Sequence, residues 1–225
     1  MPTSGEPRSF KALVCDLDGT LVDSLRGIDA SLRDATARIL PELRVPDLAP
    51  YVGPPIRTMM NRLWPQLSTQ QIDELLRGFR KHYDEVGWRE SVLYPTVAET
   101  LAGLRESGIR LFVLTNKPAH AANAILRHAG VLGLFEAVSC PDGDQPFTRK
   151  PEGARQMLRR YKLGPATALV GDGADDAEAA TACDFAFIFA DYGYGHSSLA
   201  ESPACVARLR NFGEILKCFS HGSSS

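Results

Sequence analysis

The chain has 225 residues, 44% of them hydrophobic, and a formal net charge of −2. That length suffices for one sizeable domain, or for a domain carrying a smaller insertion, and the near-neutral balance argues against a nucleic-acid partner. Five scattered cysteines without a CxxC pair argue against structural zinc and a redox dithiol, and fit a reducing, cytoplasmic setting.

Residues 1–8 read as a mobile tail by composition. The first apolar run, Ala12 to Cys15, is cut off by Asp16, so neither a signal peptide nor a membrane span is expected. That run predicts a strand, and it ends in Asp16-Leu17-Asp18-Gly19-Thr20. Residues 25–92 hold only helical patterns. Ile28, Leu32, Ala35 and Ile39 share one face, and Ile72, Leu75, Leu76, Phe79, Tyr83 and Val86 form a longer stripe. The expected organisation is an all-helical insertion over 25–92 within a discontinuous core domain of 9–24 and 93–219.

In the core, Thr96 and Glu99 match a capping box after Pro95, and Gly108 supplies a helix stop. A strand over 109–114 ends in Thr115-Asn116-Lys117-Pro118, and a helix follows from about Ala119 to Gly130. After a short strand over 136–140, Lys150-Pro151 opens a helix with Ala154, Met157, Leu158 and Tyr161 on one face, ended by Gly164-Pro165. The strand over 167–170 runs into Gly171-Asp172-Gly173-Ala174-Asp175-Asp176, a last strand spans 185–189, and 220–225 form a second tail. Strands alternating with helices predict an α/β fold, a Rossmann-like parallel sheet covered on both faces.

Ligands of open parallel sheets bind beyond the carboxyl ends of the strands. Those ends hold Asp16, Asp18, Thr115, Asn116, Asp172 and Asp176, with Lys150 in the region before the fourth strand. Brought together, four acids against one lysine require proton uptake or a hard divalent cation. Oxygen-only ligands favour Mg²⁺ over zinc. A cation of that kind attracts a phosphate group, for whose remaining oxygens Lys150 offers a point charge and the Thr115 hydroxyl a neutral donor. Singly, each of these residues has an ordinary explanation as a loop or helix-cap residue; their joint occurrence at successive strand ends points to a site.

With these motifs the chain resembles the haloacid dehalogenase superfamily, in its phosphoglycolate-phosphatase-like branch, over nearly its whole length. The motifs are Asp16-Leu17-Asp18-Gly19-Thr20-Leu21-Val22-Asp23-Ser24, Thr115-Asn116-Lys117-Pro118, Lys150-Pro151, and Gly171-Asp172 followed by Asp176. The insertion is similar to the family's cap domain, with Val52-Gly53-Pro54-Pro55 as the loop above the site, and Tyr192-Gly193-Tyr194-Gly195 is also similar to this branch.

The resemblance implies that Asp16 is the nucleophile and forms an aspartyl-phosphate. Asp18 then protonates the leaving alcohol and activates the hydrolytic water. Thr115 and Asn116 hold phosphoryl oxygens, and Lys150 stabilises charge on Asp16 and the phosphoryl group. Mg²⁺ is bound by Asp16, the main-chain carbonyl of Asp18 and Asp172, with Asp176 acting through water. Gly19, lacking Cβ, lets the backbone approach the phosphate. The implied partner is a small phosphorylated metabolite, phosphoglycolate first, for a monomer or homodimer. A β-phosphoglucomutase-like transfer stays open as an alternative, as does a receiver-like phosphoacceptor, which the helical insertion opposes.

Three departures from the family pattern stand out. Gly153 replaces a second proline and is expected to loosen the helix start. Asp184 replaces a glycine and tolerates a left-handed turn. Asp175 beside Asp176 leaves the supporting acid ambiguous, with spacing favouring Asp176.

Among other residues, Cys15 is expected in the core, opposite Asp16, and Trp64 and Trp88 are expected to pack the insertion. His120 is the histidine placed to approach the site. Arg149 reads as a surface charge, and Arg57 reads equally as a contact for a substrate carboxylate or second phosphate and as a solvated helix residue.

Overall fold

The computed structural model describes residues 10–197 and 205–219. Strand β1 (Ala12–Cys15) is buried throughout, the pattern of a central strand covered on both faces. Strand β2 (Val22–Asp23) leads into helices α1 (Leu25–Ile39), α2 (Ile56–Leu63) and α3 (Thr69–Glu85), and β3 (Val92–Leu93) returns to pair antiparallel with β2. There follow α4 (Val97–Glu106), β4 (Arg110–Leu114), α5 (Ala119–His128), β5 (Ala137–Ser139), α6 (Lys150–Tyr161), β6 (Thr167–Gly171), α7 (Ala174–Thr181), β7 (Ala186–Ala190) and β8 (Cys205–Leu209).

The main sheet has six strands in the order β5-β4-β1-β6-β7-β8, and every pairing is parallel. The chain leaves β1 for β4 and β5 on one side and crosses back to β6 on the other, so the switch in direction falls at β1. Side chains alternate across the sheet. Leu13 and Cys15 face a core shared with Leu101 and Ile125 of α4 and α5, and Ala12 and Val14 face one shared with Met157 and Ala180 of α6 and α7.

Helices α1 to α3 bury their apolar stripes against each other, with Leu32, Met60, Ile72, Leu75 and Phe79 in a third core of their own. Each such fully buried side chain contributes roughly 1.5–3 kcal/mol relative to exposure. Helix α3 opens with a reciprocal Ser68–Gln71 capping box.

Several expectations are corrected. Strand β8 at the sheet edge carries alternate exposed residues and lacks the apolar run that marks the inner strands. Thr96 caps nothing: it sits at φ +69°, and only an extended N-cap aims its hydroxyl at the first-turn amides. Helix α6 ends before Gly164, because Lys162 takes the left-handed conformation and returns its N–H to Leu158 O. Gly153 has a packing reason: a Cβ there would stand 2.8 Å from the Phe147 ring and 2.9 Å from Leu114. Asp184 does adopt the left-handed turn, at φ +55°. The tails expected at 1–8 and 220–225 lie outside the described residues. No helix among the described residues is long and apolar enough to cross a membrane.

Candidate active site

Where β1 ends, Asp16 N–H donates to Val170 O at 2.9 Å, which carries the sheet ladder one residue further and buries the carboxyl at the rim. The chain then folds back tightly, with Gly19 N–H bonded to Val22 O and Leu21 N–H to Leu17 O. Gly19 has φ +84°, and a Cβ there would lie 2.2 Å from Asp172 Oδ2, so only glycine fits this turn.

Asp172 follows β6, and its Oδ2 accepts the main-chain N–H groups of Tyr194 at 2.7 Å and Gly195 at 3.1 Å. Asp176, in the first turn of α7, accepts Gly173 N–H at 3.1 Å. Lys150 begins α6 with its side chain only 3% exposed, and its Nζ stands 2.5 Å from Asp16 Oδ1 and 2.7 Å from Asp176 Oδ1.

Asp16, Asp172 and Asp176 thus bring carboxylate oxygens within 4.8 Å of one another, all buried. Burial pushes Asp16 well above the usual carboxylate range, against the opposing charge of Lys150 and with added repulsion from Asp176 and Asp172. Burial, then the Asp176 charge, pushes Asp172 up to about 7. Asp176 is raised by burial, with Lys150 opposing. Burial on its own would lower Lys150, but Asp16 and Asp176 hold it above the ordinary lysine range. With all three carboxylates ionised against one ammonium, this buried cluster would carry an excess of two negative charges. An all-oxygen donor set with that deficit fits a hard dication such as Mg²⁺.

The other expected residues divide. Thr115 is buried beside the site, and its Oγ1 accepts Lys117 N–H at 3.1 Å. Asn116 is tied up by two hydrogen bonds. Its Nδ2 donates to Gly53 O and to Asp175 Oδ2, both at 3.1 Å, and so ties the core to the 52–55 loop. Of the two adjacent acids, Asp176 lies in the trio and Asp175 accepts Asn116 Nδ2. Arg57 lies on the wall of the cavity between core and helical layer and is engaged in an exposed ion pair with Asp73. His120 pairs with Asp84 of α3 at 2.7 Å, and Arg149 pairs with Glu178 at the surface. Cys15 is buried in the core, where burial raises its thiol strongly, and Trp64 packs among α1 to α3.

Asp18 stands apart from the trio. It accepts Ser24 Oγ at 2.5 Å and both contacts of Lys117 Nζ, at 2.8 and 3.0 Å. Sequence reasoning missed Lys117. The signal was present, since Lys117 lies in the strand-end Thr-Asn-Lys-Pro segment, the position that selected Thr115 and Asn116. Burial lowers the Lys117 ammonium, but Asp18 and Tyr83 together outweigh it and leave the pKa raised.

The Tyr192–Gly195 segment also gains a role. Tyr192 Oη donates to Thr20 O at 2.7 Å; Tyr194 Oη donates to Asp23 Oδ1 at 2.6 Å and accepts Ser24 N–H at 2.8 Å. Between core and helical layer lies a cavity of about 440 Å³ whose wall includes Asp18, Asn116, Lys117, Phe79 and Tyr83.

Residues 10–184 match the family described as haloacid dehalogenase-like hydrolase. The chain is 30% identical over 227 residues to phosphoglycolate phosphatase of Pectobacterium atrosepticum, spanning 97% of this chain and 96% of that one. It is also 30% identical over 203 residues to tyrosine-protein kinase PtkA of Mycobacterium tuberculosis, spanning 89% of this chain and 69% of that one. Among solved structures, a predicted phosphoglycolate phosphatase from Haemophilus somnus superposes with a TM-score of 0.81 at 28% identity, covering 92% of this chain and 97% of that one.

Proposed function

The chain belongs to the haloacid dehalogenase-like hydrolase family, and from that premise we propose that it is a Mg²⁺-dependent phosphatase of small phosphomonoesters, with phosphoglycolate the first candidate substrate. The observation that carries this reading is the buried trio of Asp16, Asp172 and Asp176 around Lys150 at the carboxyl ends of β1 and β6. Mg²⁺ would be held by Asp16, Asp172 and the main-chain carbonyl of Asp18, with Asp176 acting through water. When bound, it supplies the positive charge that the trio and the phosphoryl oxygens lack.

Each step then falls to a residue of this chain. The Asp16 carboxylate attacks phosphorus, the acyl-phosphate bond forms, and the bond to the leaving oxygen breaks. The leaving oxygen takes its proton from Asp18, which lies on the cavity wall where an alcohol would be seated. Water next gives a proton to the Asp18 carboxylate and attacks phosphorus, which releases phosphate and restores Asp16. Lys150 contributes by opposing the effect of burial on Asp16, since the nucleophile must be ionised. The Thr115 hydroxyl and Lys150 offer donors to the phosphoryl oxygens.

Residues 25–92 act in this reading as a cap that closes over the substrate and keeps bulk water out. Five unpaired cysteines support a cytoplasmic setting.

The test is phosphate release from phosphoglycolate, sugar phosphates, nucleotides and p-nitrophenyl phosphate, with and without Mg²⁺, for the native protein and Asp16→Asn. Metal-dependent release that disappears in the variant is expected. Transfer of the phosphoryl group to a sugar, with no free phosphate from any ester, would replace hydrolysis by a mutase reaction.

A further inference from the structure

The two oxygens of Asp18 are held unequally. Oδ1 accepts Ser24 Oγ at 2.5 Å and Lys117 Nζ at 2.8 Å, while Oδ2 accepts only Lys117 Nζ, at 3.0 Å. A carboxylate oxygen has two lone pairs, so Oδ1 is filled and Oδ2 keeps one in hand. The Asp18 side chain is 14% exposed and lines the cavity, which is its route to substrate and water. Lys117 is itself firmly held. Its main-chain N–H donates to Thr115 Oγ1 at 3.1 Å, its side chain is only 6% exposed, and the Tyr83 ring of α3 stands 5.0 Å from its Nζ. No other cation among the described residues forms an ion pair with Asp18. A buried ion pair is often no more stabilising than apolar side chains of the same volume, so packing alone does not account for this one.

We propose that Lys117 is the positioning residue for Asp18, fixing its carboxyl so that Oδ2 is the oxygen that passes protons in both half-reactions. This role rests on the phosphatase reading above. The two half-reactions depend on that oxygen to different degrees. In the first, Asp16 attacks phosphorus and the bond to the ester oxygen breaks; an alkoxide then needs the proton of Asp18, whereas p-nitrophenolate leaves without one. In the second, water attacks phosphorus, gives its proton to Asp18 Oδ2, and the bond between phosphorus and the Asp16 oxygen breaks. That step is the same whichever ester entered. Without Lys117 the carboxyl keeps only its contact with Ser24 and is free to rotate. A misplacement of about 1 Å costs on the order of a hundredfold in rate. A p-nitrophenyl ester should then still phosphorylate Asp16, and the phosphorylated protein should stall.

The test is rapid mixing of native protein and Lys117→Met with p-nitrophenyl phosphate in Mg²⁺, following the p-nitrophenol burst, steady phosphate release and, by mass spectrometry after acid quenching, phosphorylated protein. Asp16→Asn gives the background. Lys117→Met is expected to keep the burst rate within about threefold, to lose about a hundredfold in steady release, and to accumulate protein phosphorylated on Asp16. With ethyl phosphate, whose leaving group needs the proton, the same variant should lose both steps and accumulate nothing. Should Lys117→Met fail to fold by circular dichroism, Lys117→Gln, which keeps a neutral donor, is read in the same way. A burst and a steady rate that fall together, or neither of them changing, overturns the positioning role and leaves the hydrolase standing. A native protein that releases neither p-nitrophenol nor phosphate sinks the phosphatase reading, and the role falls with it.

Discussion

Replacing Tyr194 by phenylalanine removes one oxygen that holds the start of α1 to the far end of the chain. That oxygen donates to Asp23 Oδ1 at 2.6 Å and accepts the N–H groups of Ser24 at 2.8 Å and Leu25 at 3.1 Å. Leu25 N–H keeps a second acceptor in Asp23 Oδ1 at 3.1 Å, but Ser24 N–H has no other among the described residues. No side chain caps α1, so nothing local replaces the tyrosine. An unsatisfied N–H costs roughly 1–3 kcal/mol and a hydrogen bond to a charged group contributes roughly 1.5–3 kcal/mol. Tyr194 and Asp23 are only partly buried, so the lower ends apply, and the expected loss is about 2.5 kcal/mol. For a chain of this size that corresponds to a fall in Tm of about 5–10 °C. The assay is thermal unfolding followed by circular dichroism, with Tyr192→Phe as the comparison. Tyr192 makes one hydrogen bond, to Thr20 O, so its variant should lose about 1 kcal/mol. If Tyr194→Phe loses no more than Tyr192→Phe, the clamp on α1 does not exist.

Asp172 predicts a pH dependence with a definite sign. Its pKa is raised from 3.8 to about 7, so its contribution to stability is fully present below the unfolded value and is lost as pH rises through the folded one. The metal-free protein should therefore lose Tm between about pH 4 and 7, Mg²⁺ should restore it at the upper end, and Asp172→Asn should flatten the slope; identical slopes in a fluorimetric pH series would refute this. Gly19→Ala meets both a positive φ of +84° and the overlap with Asp172, whereas Gly130→Ala meets only its φ of +74° with open space around it. Urea unfolding should show Gly130→Ala costing roughly 1–2 kcal/mol and Gly19→Ala clearly more, with its phosphate release lost as well. Equal losses would show that the turn relaxes at no extra cost.

The sequence by itself determined the inner strands and their order of function. Continuous apolar runs such as Ala12–Cys15 and Thr167–Val170 are local signals, and a polar residue that ends such a run in a parallel sheet has to lie at its rim. For that reason Asp16 and Asp172 are identifiable from the sequence. The alternating edge strand β8 and the uncapped start of α4 are not, because an edge position and a left-handed N-cap are set by the neighbouring structure.

Only the tertiary structure decided the partners. Lys117 lies 99 residues from Asp18 in sequence, Tyr194 lies 170 residues from Ser24, and Asn116 reaches across to Gly53. A single side chain's charge or hydroxyl carries no periodicity, so nothing along the chain says which distant group it will meet. Burial makes the pairing specific: once water is excluded, each ammonium, carboxylate and hydroxyl must find its partner within the fold, and only the packing of helices on sheet fixes which one is within reach.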